Sequence, residues 1–147
     1  PDGPNDQTHR IYNWERRYSH YFIYLDANDG TGEVQAYVKA DGQTSIIVNH
    51  PTPDDGNWHH YALSITNSSI SLYLDGTLVD NTTNTHTNDY ADSGGITHYG
   101  IGASTYSSNY GTNYKDYFNG SLDEFRLYLR GLSSDEVEDL YLATGGS

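Results

Sequence analysis

ISLYLDG (70–76), followed at once by TLVDNT (77–82), decides the fold class. Ile70, Leu72 and Leu74 alternate with Ser71, Tyr73 and Asp75, a period of two that belongs to a strand with one buried and one wetter face. TLVDNT then returns as the next strand. Working towards the N-terminus, WHHYALSI (58–65) precedes the pair, and PTPDDG before it reads as a loop, because Pro51 and Pro53 cannot donate to a central ladder. Further back lie TSIIVNH (44–50), EVQAYVKA (33–40) and HYFIYLDA (20–27), the last two joined through Asp29-Gly30, which suits a tight turn. Towards the C-terminus, Asn84 to Gly95 is polar, without periodicity, and reads as a long loop; HYGIGAS (98–104) is a glycine-interrupted strand, and SLDEFRLYLR (121–130) is the strongest late strand. The tail alone is helical: Ser133 and Glu136 form a capping box, and Val137, Leu140 and Tyr141 share a face before Gly145. Short strands between Gly, Asn and Asp clusters predict an all-β sandwich or barrel.

The 147 residues fit one domain, and a chain of this length can bury a core without disulfides or metals. With no cysteine, a disulfide framework, a thiol nucleophile and a thiolate metal site are excluded. Seven Lys+Arg against twenty Asp+Glu give a formal charge of -13, which repels phosphate backbones and anionic membranes. Nucleic acid is therefore excluded as a partner, and no run is long and apolar enough for membrane insertion. Cations, neutral glycans and basic protein surfaces are compatible with that charge, as is plain solubility.

Three segments in order resemble the laminin G-like jelly rolls of the concanavalin A-like superfamily: DGNWHHYALSI (55–65), SLYLDGTLVD (71–80) and FNGSLDEFRLYLRGLSSDEVEDLY (118–141). The first is similar to the family's G-x-W-H-H-V-A strand, the second to its L-Y-V-D-G hairpin, the third to its closing strand and terminal helix. The resemblance implies a two-sheet antiparallel jelly-roll sandwich with a short C-terminal helix. It also implies an extracellular or cell-surface module for glycan or adhesive recognition rather than an enzyme. Against that pattern, residues 1–147 form a single domain whose usual first strands are missing. The expectation is that a strand-donating chain, a second copy in a homo-oligomer or a longer product completes it, because unpaired central edges are costly in water. A structural subunit of a surface fibre is the alternative function, and a polysaccharide-degrading enzyme the third.

Glycoside hydrolysis needs two carboxylates on one face. Asp123 and Glu124 are adjacent and point to opposite faces of a strand, so they do not form such a pair. KDYFNGSL (115–122) is similar to a lyase motif of the same fold, but Asn119 stands where that motif has lysine. His59 and His60, neighbours on a strand, cannot share one ion, and the remaining histidines lack ligand spacing. Asp26 to Glu33 is similar to a calcium loop, but Gly30 falls where an oxygen ligand is needed. The resemblance instead nominates Asp123 as ligand of a structural calcium ion.

The stretch from Thr105 to Tyr117 is the most function-like in composition. Tyr106, Asn109, Tyr110, Asn113, Tyr114 and Tyr117 supply rings for stacking on sugars and amides for their hydroxyls, and a mobile loop could present both. The same residues suit a protein-binding loop, or simple packing over the sheet rim. Between His9 and Tyr18, Trp14, Arg16 and Arg17 concentrate ring and charge as a docking edge, unless they serve only local charge pairing. Asn67, Asn81 and Asn119 each begin an Asn-X-Ser/Thr acceptor triplet.

Overall fold

A computed structural model describes residues 8–16, 21–28, 32–40, 42–86, 97–108 and 111–145. A five-stranded antiparallel sheet runs in the order β4 (Ile46–Pro51), β3 (Glu33–Lys39), β2 (Tyr21–Asn28), β1 (Thr8–Arg16), β8 (Thr97–Ile101). A three-stranded sheet contains β5 (Tyr61–Ile65), β6 (Ser69–Leu74) and β7 (Thr77–Thr83). β9 (Ser104–Ser108) and β10 (Gly111–Lys115) form a separate two-stranded ladder, and α1 covers Ser134–Ala143.

The two larger sheets meet through alternate residues. Val34, Ala36 and Val38 of β3, Leu25 of β2 and Val48 of β4 pack with Ile70 and Leu72 of β6 in one buried cluster. Each such aliphatic side chain contributes roughly 1.5–3 kcal/mol of burial, which decides which face of each strand turns inward. The jelly-roll sandwich with a C-terminal helix expected from the sequence is the fold observed.

Strand β6 departs from simple alternation, since Ser71 and Tyr73 are buried as well as Ile70 and Leu72. The segment around α1 covers that second face. Tyr73 shares a hydroxyl hydrogen bond with Ser134, and Ser64, opposite Ser71, both accepts from the Leu132 N–H and donates to the Leu132 carbonyl. The β6–β7 turn places Asp75 (φ 50°) and Gly76 (φ 77°) in the left-handed region, the geometry of a two-residue hairpin, and a Cβ on Gly76 would stand 3.1 Å from the Tyr141 ring. At the N-terminus of α1 the capping box forms as expected: the Glu136 N–H donates to Ser133, and the Ser133 N–H donates to Glu136.

Two expectations are corrected. The Tyr-rich stretch is a β-hairpin rather than a mobile loop, because its Thr and Tyr residues favour extended backbone and Gly111–Lys115 pairs in register with Ser104–Ser108. SLDEFRLYLR, expected as a strand, makes no strand pairing among the described residues: Glu124 turns to φ 53° in its middle, and the segment meets β1 through side chains, the Phe125 ring packing on Tyr12 at 5.4 Å between centroids. The Asp29-Gly30 turn and most of the long polar loop, from residue 87 on, lie outside the described residues.

Beside the β6–β7 turn, His59 sits between two carboxylates, its Nδ1 2.8 Å from Asp75 and its Nε2 3.0 Å from Asp55, so that in its protonated form it donates to both. These hydrogen bonds, that to Asp75 first, raise the His59 pKa above its ordinary 6.5. Asp55, which also accepts from the Asn57 N–H, is held down at about 2. A raised histidine contributes stability that is fully present below its unfolded pKa and is lost as pH rises through the folded one. Asp75→Asn keeps the acceptor for the His60 N–H but removes the charge. The wild type is expected to melt higher than this variant near pH 5.5, with the gap shrinking by pH 9. Equal gaps at both pH values would refute the charge contribution.

Candidate functional site

The outer face of the five-stranded sheet, away from the core, is polar and aromatic. Tyr24 and Asp26 of β2 alternate with the buried Leu25, and Gln35, Tyr37 and Lys39 of β3 alternate with the buried Val34, Ala36 and Val38. The register sets Tyr24 opposite Tyr37 and Asp26 opposite Gln35. The two tyrosine rings stack at 5.8 Å between centroids and 19° between planes, and the Tyr37 hydroxyl is fixed by a hydrogen bond with Ser45. Tyr24, Asp26, Gln35, Tyr37 and Lys39 line a shallow open depression of about 220 Å³.

One irregularity completes the face. In a regular strand Arg10 and Asn13, three residues apart, would point to opposite sides. The ladder between β1 and β2 shifts between Arg10 and Tyr12, so Ile11 and Tyr12 both pack towards the core while Arg10 sits opposite Asp26 and Asn13 opposite Tyr24. Arg10 is 8% exposed. Its Nε approaches the Asp26 Oδ1 to 3.0 Å, an ion-pair contact at an angle too poor for a hydrogen bond; its Nη2 lies 3.7 Å from Asp116, and its Cζ is 3.9 Å from the centre of the Tyr24 ring. Asp116 reaches this place because the backbone before Tyr117 bridges to β1, with the Arg10 N–H donating to the Asp116 carbonyl at 2.9 Å.

Burial pushes the Asp26 carboxyl up to about 6, against the lowering pull of Arg10 and with a further push from Asp116. Desolvation thus outweighs the ion pair. A carboxyl whose pKa rises from 3.8 to about 6 on folding favours the fold most when protonated, so its contribution declines as pH climbs through that window and is on the order of 3 kcal/mol worse above it.

The residues nominated from sequence fall elsewhere. Tyr106 pairs with Asn113 and Tyr114 with Thr105 across the β9–β10 ladder, Tyr117 is exposed beside the Arg10 backbone, and Asn109 and Tyr110 lie outside the described residues. Trp14 and Arg16 belong to β1, which runs between β2 and β8 rather than at an edge; Arg17 lies outside the described residues. Asp123 is exposed and accepts from the Glu124 N–H. No group of three or more His, Asp or Glu side chains able to hold an ion occurs among the described residues. His59 and His60, expected on a strand, lie just before β5; His59 is hydrogen-bonded to Asp75 and Asp55, while His60 is half-buried near Tyr141, its Nδ1 makes no hydrogen bond, and burial lowers its pKa. The Tyr24, Asp26, Gln35, Tyr37, Lys39 face was missed. Its signal was present as polar and aromatic residues at every second position of two strands whose intervening residues are aliphatic.

A five- and a three-stranded sheet, with rings and polar groups gathered on the outer face of the larger one, define a β-sandwich with an open polar and aromatic face. The chain belongs to the concanavalin A-like lectin/glucanases superfamily, in its laminin G-like branch, whose family profile matches residues 1–138. Among solved structures it is similar to an S-layer domain-containing protein (residues 221–444) from Clostridium thermocellum, at 20% identity and a TM-score of 0.45, covering 96% of this chain and 66% of that one. No curated protein matches significantly. No helix among the described residues is long and apolar enough to cross a membrane.

Proposed function

We propose that the chain is a non-catalytic surface recognition module that binds a neutral glycan on the outer face of its larger sheet. The observation carrying this reading is the stacked Tyr24–Tyr37 pair flanked by Asp26, Gln35 and Lys39 in an open depression. Aromatic rings take the C–H faces of a pyranose, while the carboxylate accepts from sugar hydroxyls and the amide both donates and accepts. An open face suits an internal stretch of polysaccharide, which enters and leaves sideways. Hydrolysis is disfavoured because Asp26 and Asp116 both lie against the one buried Arg10 guanidinium, at 3.0 and 3.7 Å, which occupies the carboxylates that would have to donate a proton and attack. The family's fold and the acidic surface fit work at or outside the cell surface.

Tyr37→Ala is expected to weaken binding to an array-selected glycan about tenfold, which is about 1.4 kcal/mol, with melting temperature little changed. Unchanged affinity in Tyr37→Ala together with loss in Tyr114→Ala would move the site to the β9–β10 hairpin. Release of reducing ends from the bound glycan would overturn the non-catalytic reading.

A further inference from the structure

We propose that the glycan taken up on the outer face of the larger sheet carries acetamido groups, and that Gln35 and Lys39 are the residues that read them. This rests on the glycan-binding reading and assigns its specificity. Of the polar groups lining the depression, the Asp26 carboxyl and the Tyr37 hydroxyl are already engaged, by Arg10 and by Ser45. Gln35 and Lys39 are open. Among the described residues neither side chain makes a hydrogen bond or an ion pair. Lys39 stands apart from the other cations with described side chains, since Arg10, Arg126 and Arg130 each lie against a carboxylate. Its ammonium is left unmatched in a chain where twenty Asp+Glu compete for seven Lys+Arg.

The chemistry of the two open heads selects their partner. An ammonium offers three donors and no acceptor, whereas a primary amide offers both. On an uncharged sugar the strongest acceptor is the carbonyl of an acetamido group, and its N–H is at the same time a donor for the Gln35 oxygen. A carboxylate would pair with Lys39 more strongly still. Yet Asp26 and Asp116 share a single guanidinium beside the same depression, and the chain carries -13 overall, so a polyanionic glycan is repelled where an uncharged carbonyl is not. Spacing adds a length requirement. Gln35 and Lys39 flank Tyr37 on the outward side of β3, four residues and therefore roughly 13 Å apart along the strand, further than one sugar ring extends. The ligand is an oligomer lying along β3, with a ring over Tyr37 and acetamido groups on the residues to either side.

The test uses neutral oligosaccharides in pairs of equal length and linkage that differ only in bearing acetamido or hydroxyl groups at one carbon of each sugar, such as tetra-N-acetylchitotetraose against cellotetraose, spread over an array of linkages. The acetamido member of the best-bound pair should bind about tenfold more tightly, the worth of one hydrogen bond to a charged group. Lys39→Met and Gln35→Met should each narrow that ratio, and the double variant should bring it below about twofold, with melting temperatures unchanged because neither head has a protein partner to lose. Lys39→Arg, which keeps the donors, should preserve the preference. A best-bound glycan without acetamido groups, a ratio that survives the double variant, or a preference for uronate-bearing over acetamido glycans would each overturn the proposal. In those three outcomes glycan is still bound and Tyr37→Ala still weakens it, so the glycan-binding reading stands. An array on which nothing binds would overturn both.

Discussion

Replacing Arg10 by Met costs the fold on the order of 3–5 kcal/mol at pH 8, the expected penalty for breaking a buried ion pair from one side. The guanidinium is the shared counter-charge of Asp26 and Asp116 and the cation over Tyr24. Without it Asp26 keeps its desolvation and loses the one charge that lowers its pKa, so its carboxyl rises above the present value of about 6. At pH 5 the acid escapes by taking a proton, whereas at pH 8 it must be buried charged or expose itself. The cost is therefore larger at pH 8 than at pH 5, as read from urea midpoints of both proteins at the two pH values. An equal loss at both would mean that Arg10 contributes packing and not charge. The same substitution should abolish glycan binding at pH 8 by releasing Tyr24 from its fixed plane.

The second large effect belongs to the core. Leu72 is wholly buried, one of the two β6 residues that meet β2, β3 and β4 across the sandwich. Leu72→Ala should lower unfolding stability by about 2–5 kcal/mol, the transfer loss of the removed carbons plus the cavity left where two sheets hold each other apart. Urea denaturation with an unchanged slope would register it as a shift in midpoint. A loss under about 1 kcal/mol would mean that the sheets close over the gap, and that the buried cluster is looser than close packing requires.

Periodicity is a local property, and where local chemistry decides the outcome the sequence was legible. ISLYLDG announced β6, and Ser133 with Glu136 announced the helix start to the residue. What the strands had to agree on collectively was not legible. SLDEFRLYLR has the best late strand pattern in the chain and forms no ladder, because a strand needs a neighbour and no composition supplies one. The second buried face of β6 depends on a helix sixty residues away in sequence. The site was hidden for a third reason. Arg10, Asp26 and Asp116 converge only after a shifted register in β1 and a bridge beside Tyr117, and neither event leaves a trace in residue spacing. The tyrosine-rich stretch drew attention through composition alone, whereas Tyr24 and Tyr37 owe their position to pairing.

The strict alternation of β3 beside β2 has an evolutionary consequence. Leu25, Val34, Ala36 and Val38 are answerable to the core, while Gln35 and Lys39 are not, and Tyr37 serves the fold through its stacking on Tyr24 and its hydrogen bond with Ser45. Selection can therefore rewrite those two outward residues one at a time without a stability debt. The same scaffold can exchange outward side chains such as Gln35 and Lys39, whereas Arg10, Asn13 and Asp26, outward but buried, are tied to the fold.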